Sequence, residues 1–315
     1  MWRNLRAVLF IAALLCPRAA HAGGLERWRD LVVADGEGAR PAGGIRITYL
    51  GTNGYLLGTG GRALLIDPYF TRVPLADAAF NLPVASDPRL VAAGLRPLPR
   101  RIDAVLVTHG HIDHLLDAPE VMRATGARLV GSATAVNLVV AHGLSPLRCA
   151  VVAPGDVLRI GPWKVRVLGA VHDRVFWMMP FPGEKTAPTP KPLRPADWVM
   201  GEPLAFLIEA AGQRIYIDSG GMPGAELPPA DLAPVDLAIV GAALGDSRRR
   251  LAPLLRCLRP HCFLPSHQDD FFRPLARGFS FGLLSNFSAV QRSSAAGQLP
   301  GQLILLDYYR PWTLR

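Results

Sequence analysis

The sequence predicts an α+β chain in which two mixed β-sheets pack together with helices outside, and three observations carry that expectation. Strand and turn signals alternate quickly over residues 45–66, a continuous apolar run near residues 103–107 is followed by helical periodicity, and strands alternate with helices again from residue 204 onward. No internal repeat with a period of about 20–50 residues points to a solenoid or propeller instead. With 315 residues, 50% of them hydrophobic and 19% charged, the chain is neither disordered nor a small disulfide scaffold. It buries a large core without covalent staples.

At the N-terminus, Arg3 and Arg6 precede an apolar run over residues 7–15, and Ala20-His21-Ala22 supplies a small-x-small cleavage site before Gly23. Residues 1–22 are therefore expected to be a cleaved signal peptide, the apolar run being too short for a comfortable membrane anchor, and the product to be exported, periplasmic or secreted. Residues 23–44 form a polar lead-in to a single domain over 45–315.

In that domain Ile45-Arg46-Ile47-Thr48-Tyr49-Leu50 alternates apolar and polar side chains, and Gly51, Asn53 and Gly54 supply a turn. Tyr55-Leu56-Leu57 and Ala63-Leu64-Leu65-Ile66 complete an antiparallel meander, which Asp67-Pro68 ends. Prolines and alanines predominate over residues 71–101, with a short helix at 89–94. A buried strand follows at 103–107, then helices at 119–124 and 133–141 with Gly126 and Gly143 as stops. Further strands are expected at 151–152, 157–160, 165–168, 204–209, 214–217, 237–240, 261–264 and 303–306, and helices at 248–257 and 269–276. Residues 173–203 interrupt this order with a proline-rich loop carrying Phe176, Trp177, Met178, Met179, Phe181 and Trp198. Such a loop is either a lid or substrate wall, or a segment folded onto the core.

Formal net charge is +9; without Arg3, Arg6 and Arg18 of the signal segment, 31 basic side chains face 25 acidic ones, or +6. This mild excess suits a small-molecule or lipid-like anionic substrate and transient contact with a membrane surface. It lacks the dense Lys/Arg stripe of a nucleic-acid binder. The mature chain holds Cys149, Cys257 and Cys262. Cys257 and Cys262 are the nearest pair that an oxidising compartment would permit, and with no C-x-x-C motif the cysteines read as structural or buried rather than catalytic.

Chemistry concentrates in Thr108-His109-Gly110-His111-Ile112-Asp113-His114, directly after the 103–107 strand. Four candidate ligands fall within six positions, and imidazole nitrogen with carboxylate oxygen suits zinc, manganese or iron. Three histidines and an aspartate in one strand-end loop are costly to bury without a cation.

His109-x-His111-x-Asp113-His114 resembles the signature of the metallo-β-lactamase superfamily of metal-dependent hydrolases. The resemblance extends downstream in order, through Gly169-Ala170-Val171-His172, Tyr216-Ile217-Asp218-Ser219-Gly220 and Leu264-Pro265-Ser266-His267, and covers about residues 45–272. It implies a four-layer αββα sandwich and two divalent metal ions per chain, zinc first, with manganese or iron as alternatives. His109, His111 and His172 would hold one ion, Asp113, His114 and His267 the other, and Asp218 would bridge them. Two such cations lower the pKa of a water between them and polarise the bond under attack. Asp113, Asp218 and His267 are then the residues expected to serve the reaction. Asp67, in Leu65-Ile66-Asp67-Pro68-Tyr69, resembles an aspartate that supports the ligating histidines from behind, the other reading being an Asp-Pro turn.

Asp67-Pro68-Tyr69 together with the histidine loop looks like the branch containing N-acyl-phosphatidylethanolamine phospholipases and sugar-phosphate lactonases, which implies an ester-like bond, a phosphodiester or lactone. His114 beside Asp113, and aspartate rather than cysteine at 218, depart from the zinc β-lactamases. Arg248-Arg249-Arg250, Arg273 and Arg277 are candidates to clamp a phosphate, although such a run also suits a solvated helix start. Asp269 and Asp270, just after His267, are read as a helix start, the other reading being carboxylates that support that ligand. The rival readings are an iron-dependent oxidoreductase on the same scaffold and a non-catalytic metal-binding protein.

Overall fold

Alternation of apolar side chains along the strands gives each of two sheets an inner and an outer buried face, so the chain folds as four layers. The computed structural model describes residues 24–38, 42–175, 177–224 and 226–315; the expected signal peptide, residues 1–22, and Phe176 lie outside the described residues. The first sheet holds β1 (Ile45–Gly51), β2 (Gly54–Thr59), β3 (Arg62–Ile66), β4 (Ile102–Leu106), β5 (Arg128–Gly131) and β6 (Cys149–Val151), with β14 (Trp312–Leu314) on the edge beside β1. The second holds β7 (Val157–Ile160), β8 (Trp163–Gly169), β9 (Leu204–Ala210), β10 (Gln213–Ile217), β11 (Leu237–Gly241), β12 (Cys262–Ser266) and β13 (Gln302–Leu303), hydrogen-bonded in that order. Both sheets are mixed. β1 to β3 and β7 to β10 pair antiparallel, and β3 to β6 and β10 to β13 pair parallel.

The sequence period decides which side chain enters which layer. Leu64, Ile66, Ala104 and Leu106 of the first sheet meet Phe206, Ile208, Ile215, Ile217 and Ile239 of the second in a core between the sheets. Their neighbours Leu65, Val105 and Val107 face outward onto helices α4 (Ala118–Thr125) and α5 (Ala133–Val140), with Val121, Met122 and Leu138. On the other side Tyr216, Ala238 and Val240 face α6 (Gly245–Leu258), with Leu251, Leu254 and Leu255. Burying a large apolar side chain in this way stabilises the fold by about 1.5–3 kcal/mol. Helix starts follow local chemistry: Asp87 caps Pro88–Leu95 and Ser132 caps α5 through their side chains, and Gly126 ends α4 at φ 76°.

Several expected elements differ. Residues 269–276 form no helix, only a 3-10 turn at Leu275–Arg277, because Asp269 is drawn into a buried ion pair instead of capping a helix. The late strand is confined to Gln302–Leu303. A helix at Phe287–Ala295 and the edge strand β14 were not expected. The lead-in is less polar than its sequence suggests: Leu25 is buried in the outer layer of the second sheet, and Val32 bridges to Leu305. Cys149, Cys257 and Cys262 are all free, with Cys257 Sγ facing the Pro228 carbonyl and Cys262 Sγ the Asp236 carbonyl. Among the described residues, no helix is long and apolar enough to cross a membrane.

Gly241, at the end of β11, lies against the backbone of Ser219 and Gly220, and a Cβ there would collide with both. Gly241→Ala is expected to lower the unfolding free energy by about 1–3 kcal/mol through overpacking, read by denaturant unfolding. An unchanged midpoint would mean that the 219–220 turn does not pack on β11.

Candidate metal centre

The C-terminal ends of β4, β8, β10 and β12 lie at one edge of the sandwich, and the candidate ligands leave from those ends. Thr108 follows β4, His172 follows β8, Asp218 follows β10 and His267 follows β12. A rigid sheet edge is where a protein can aim several side chains at one point. Between the first two histidines, Gly110 donates its N–H to the Met200 carbonyl at 2.8 Å. A Cβ at this glycine would strike the Val199 carbonyl, so the loop passes under the 199–200 segment only as glycine. His111 then starts the short helix α3 (Ile112–Leu115), which turns Asp113 and His114 back toward β3.

Two groups of three result. The donor atoms of His109, His111 and His172 lie within 4.8 Å of one another, as do those of Asp113, His114 and His267. In the first, His109 Nε2 and His111 Nδ1 are 3.0 Å apart, and both rings meet the His172 ring edge-on at 4.7 Å. His172 Nδ1 is held by the Asp173 carbonyl at 2.6 Å, leaving Nε2 for the centre. In the second, Asp113 Oδ2 lies 3.0 Å from His267 Nε2 and 3.3 Å from His114 Nε2. The groups abut, with the His109 and His114 rings 4.0 Å apart. Five imidazole nitrogens and one carboxylate are a donor set that fits divalent zinc, manganese or iron.

Asp67 stands behind this set, as the resemblance implies. Its buried carboxylate accepts from His114 Nδ1 at 2.8 Å, from the Thr108 N–H at 2.8 Å and hydroxyl at 2.6 Å, and from Asn53 Nδ2 at 2.9 Å. The bond to Nδ1 fixes the ring so that Nε2 faces the centre. Asp218 is the expected ligand that joins neither group. It is fully buried, and its oxygens accept from Tyr216, Arg250 and the N–H groups of Gly220 and Gly241.

Residues distant in sequence from the histidine loop complete the edge. Ser266 Oγ joins Tyr55 to Asn53, at 2.9 and 2.6 Å, and so links the second sheet to the Asp67 cluster. Asp269 accepts from Arg72 Nη1 at 2.9 Å, Tyr49 at 3.0 Å, the Thr52 N–H at 2.8 Å and the Tyr308 hydroxyl. Thr52 in turn receives the His267 N–H at 3.0 Å, where His267 adopts φ 61°. A non-glycine residue held there costs energy, and the Asp269 cluster over-determines it. The arginine run does not form a clamp: Arg250 is buried against Asp218, Arg249 pairs with Asp246, and Arg248 binds the Ala243 carbonyl.

The proline-rich loop divides into two parts. Trp198 is fully buried, its ring 5.1 Å from that of His142 and tilted 36° to it, so that end is folded onto the core. At the other end Phe181 lies 6.2 Å from His111, and Trp177 is 87% exposed. That part walls the centre.

This edge-mounted set of five histidines and one aspartate on an αββα sandwich is a metal site, and the relatives that share its sequence are metal-dependent hydrolases. The family pattern described as the metallo-beta-lactamase superfamily matches residues 47–192. A UPF0173 metal-dependent hydrolase from Pyrobaculum arsenaticum is 24% identical over 263 residues, which is 83% of this chain and 100% of that one. Another from Cupriavidus necator is 30% identical over 211 residues, 65% of each chain. In fold, the chain is similar to Igni18, a metallo hydrolase from Ignicoccus hospitalis, with a TM-score of 0.54 at 16% identity over 86% of this chain and 99% of that one. The superfamily pattern over residues 47–192 and the metal-dependent hydrolases that match up to 83% of this chain together support a metal-dependent hydrolase of the metallo-β-lactamase superfamily.

The two groups differ electrically. Burial drives the first three imidazoles toward the neutral form, taking His111 down to about 3 and His172 to about 4 and holding His109 well below its ordinary value. Burial also disfavours charge on His114, but Asp113 and Asp67 outweigh it and raise that ring to about 10. His114 is therefore protonated near neutral pH before a metal arrives, and a metal taking its Nε2 must expel the proton. Metal uptake by this group is expected to release about one proton per chain at pH 7.5, with apparent affinity rising about tenfold per pH unit. Titration calorimetry in buffers of differing ionisation enthalpy reads this, and uptake without net proton release would contradict it.

Proposed function

We propose that the chain is an exported hydrolase that works with two divalent metal ions, zinc first, on an ester-like bond, a phosphodiester or lactone, in an anionic substrate with an apolar part. One observation carries this reading: two abutting groups, each with three donor atoms within 4.8 Å, at one sheet edge. Bound metal would supply Lewis acidity and a water of lowered pKa. The protein's share is orientation. His114 is fixed by Asp67, His172 by the Asp173 carbonyl, and His267 by the Thr52 turn.

Asp113 combines ligand position with access. Its side chain is 14% exposed, against 0% for Asp67, so it is the carboxylate placed to accept a hydrogen bond from a water and orient it. Burial would raise its pKa, but His114 and His267 hold it well below the usual range, so it stays an acceptor at any working pH. Phe181, 39% exposed, and Met178, 47% exposed, offer an apolar wall to a substrate chain. The exposed Trp177 beside them and the basic excess of the mature chain support transient contact with a membrane surface.

Metal content of the chain from Gly23 to Arg315, purified from its export compartment without chelator, tests the reading. Two equivalents of zinc or manganese are expected; one iron would turn it toward redox chemistry, and no metal even on titration would defeat it. His111→Ala and Asp113→Ala are each expected to lower turnover of phosphodiester or lactone substrates by about two orders of magnitude or more. Their thermal unfolding should stay near that of the unchanged chain, because the apolar core between the sheets does not include them. Full activity in either variant would sink the site assignment, and an unfolded variant would make the metal structural.

A further inference from the structure

Asp218 has no free acceptor position. Oδ1 takes the N–H groups of Gly220 at 3.0 Å and Gly241 at 3.1 Å, and Oδ2 takes the Tyr216 hydroxyl at 2.9 Å and Arg250 Nη1 at 2.8 Å. A carboxylate offers about four lone-pair directions, and all are used. Strand parity explains the direction. Ile215 and Ile217 face the core between the sheets, Tyr216 faces the helix layer, and Asp218, two residues on, shares its face. Ser219 takes the opposite face and sets its Oγ 3.4 Å from His109 Nδ1.

Arg250 explains why the carboxylate stays there. It lies 3% exposed on α6 beside Leu251 and Leu254, and among the described residues its ion-pair partner is Asp218. A buried guanidinium without a counter-ion is strongly disfavoured. To reach the metal donors, Asp218 would have to abandon that cation and three further donors together. The same helix face also braces the loops that carry the first group. Ser247 Oγ accepts from the Gly221 N–H at 2.9 Å, and the Ser247 N–H donates to Asp173 Oδ2 at 2.9 Å. Asp173 is the residue whose carbonyl holds His172.

We propose that Asp218 is the buried counter-ion of Arg250, positioning the 218–221 loop against α6 behind His109 and His172, and that the two metal positions share no bridging carboxylate. The inference rests on the metal-binding reading for its second half and on the ion pair alone for its first. Two measurements on the full mature chain separate them. In thermal unfolding, Asp218→Asn and Arg250→Met should each lower the midpoint, and the neutral pair Asp218→Asn/Arg250→Met should recover much of the loss. Additive losses would overturn the counter-ion role. In zinc titration, the double variant should keep the wild-type number of equivalents with each Kd changed less than tenfold. Loss of an equivalent, or a Kd raised a hundredfold or more, would overturn it.

Should the double variant fail to fold, Arg250→Lys and Arg250→Met decide. Both should keep wild-type zinc affinity, whereas tightening by tenfold or more in Arg250→Met, where the carboxylate is released, would show that Asp218 is a ligand after all. A wild-type chain that binds no metal would defeat the hydrolase reading and leave the thermal coupling to decide this one.

Discussion

A carboxylate removed from water must be surrounded by donors, and that requirement organises the working edge of this protein. Asp67, Asp218 and Asp269 are essentially buried, and each accepts four hydrogen bonds. The donors come from different layers. Asp67 draws on the β1–β2 turn, the end of β4 and α3; Asp269, beyond β12, draws on β1, its turn and Arg72; Asp218 ties the end of β10 to β11 and α6. Removing one partner from such a cluster leaves a buried charge short of a bond, at a cost of about 1–3 kcal/mol or more. The Asp269 cluster and the Ser266–Asn53 bond beside Asp67 form a polar seam that joins the two sheets under the histidines, while the Asp218 cluster fastens the second sheet to its helix layer.

That seam explains what the sequence made legible and what it did not. The histidine loop could be read because its chemistry is local: His109, His111, Asp113 and His114 fall within six positions after an obvious strand. Asp67 could be read because it follows the meander directly. Arg72 and Asp269 lie 197 residues apart, and Asn53 and Ser266 lie 213 apart; no periodicity joins them. Asp269 looked like a helix start for the same reason, since a local preference for an acidic first turn is worth less than a buried ion pair with three further donors. Arg250 is the case where more was available. With helical spacing it shares a stripe with Ser247, Leu251, Leu254, Leu255 and Leu258, all buried, so its guanidinium was committed to the interior and needed a carboxylate.

The two metal-binding groups are prepared in opposite ways. In the second, the His114 proton already stands between Asp113 and Asp67, so a metal replaces one cation with another and meets carboxylates arranged to receive it. The first consists of imidazoles that burial holds neutral, with no carboxylate among the three. An ion there brings its full charge into a low-dielectric edge, balanced only from the neighbouring group. A loaded centre of this composition carries a net positive charge.

That excess bears directly on substrate selection. The arginines nearest the centre are spent on internal partners: Arg250 on Asp218, and Arg174 and Arg249 on Asp246. Under the proposed function, attraction of an anionic group would therefore fall to bound metal, at the reacting bond rather than at a remote clamp. At the mouth, Phe181 lies 6.2 Å from His111 and Phe271 5.1 Å from His267, so aromatic edges border the centre. Such a mouth orients an apolar chain by excluding water around it, and the low local dielectric strengthens the charge interaction at the bond being broken. On the proposed reading, charge selection and apolar selection would be carried by different parts of the site, the first by the centre and the second by the exposed half of the proline-rich loop.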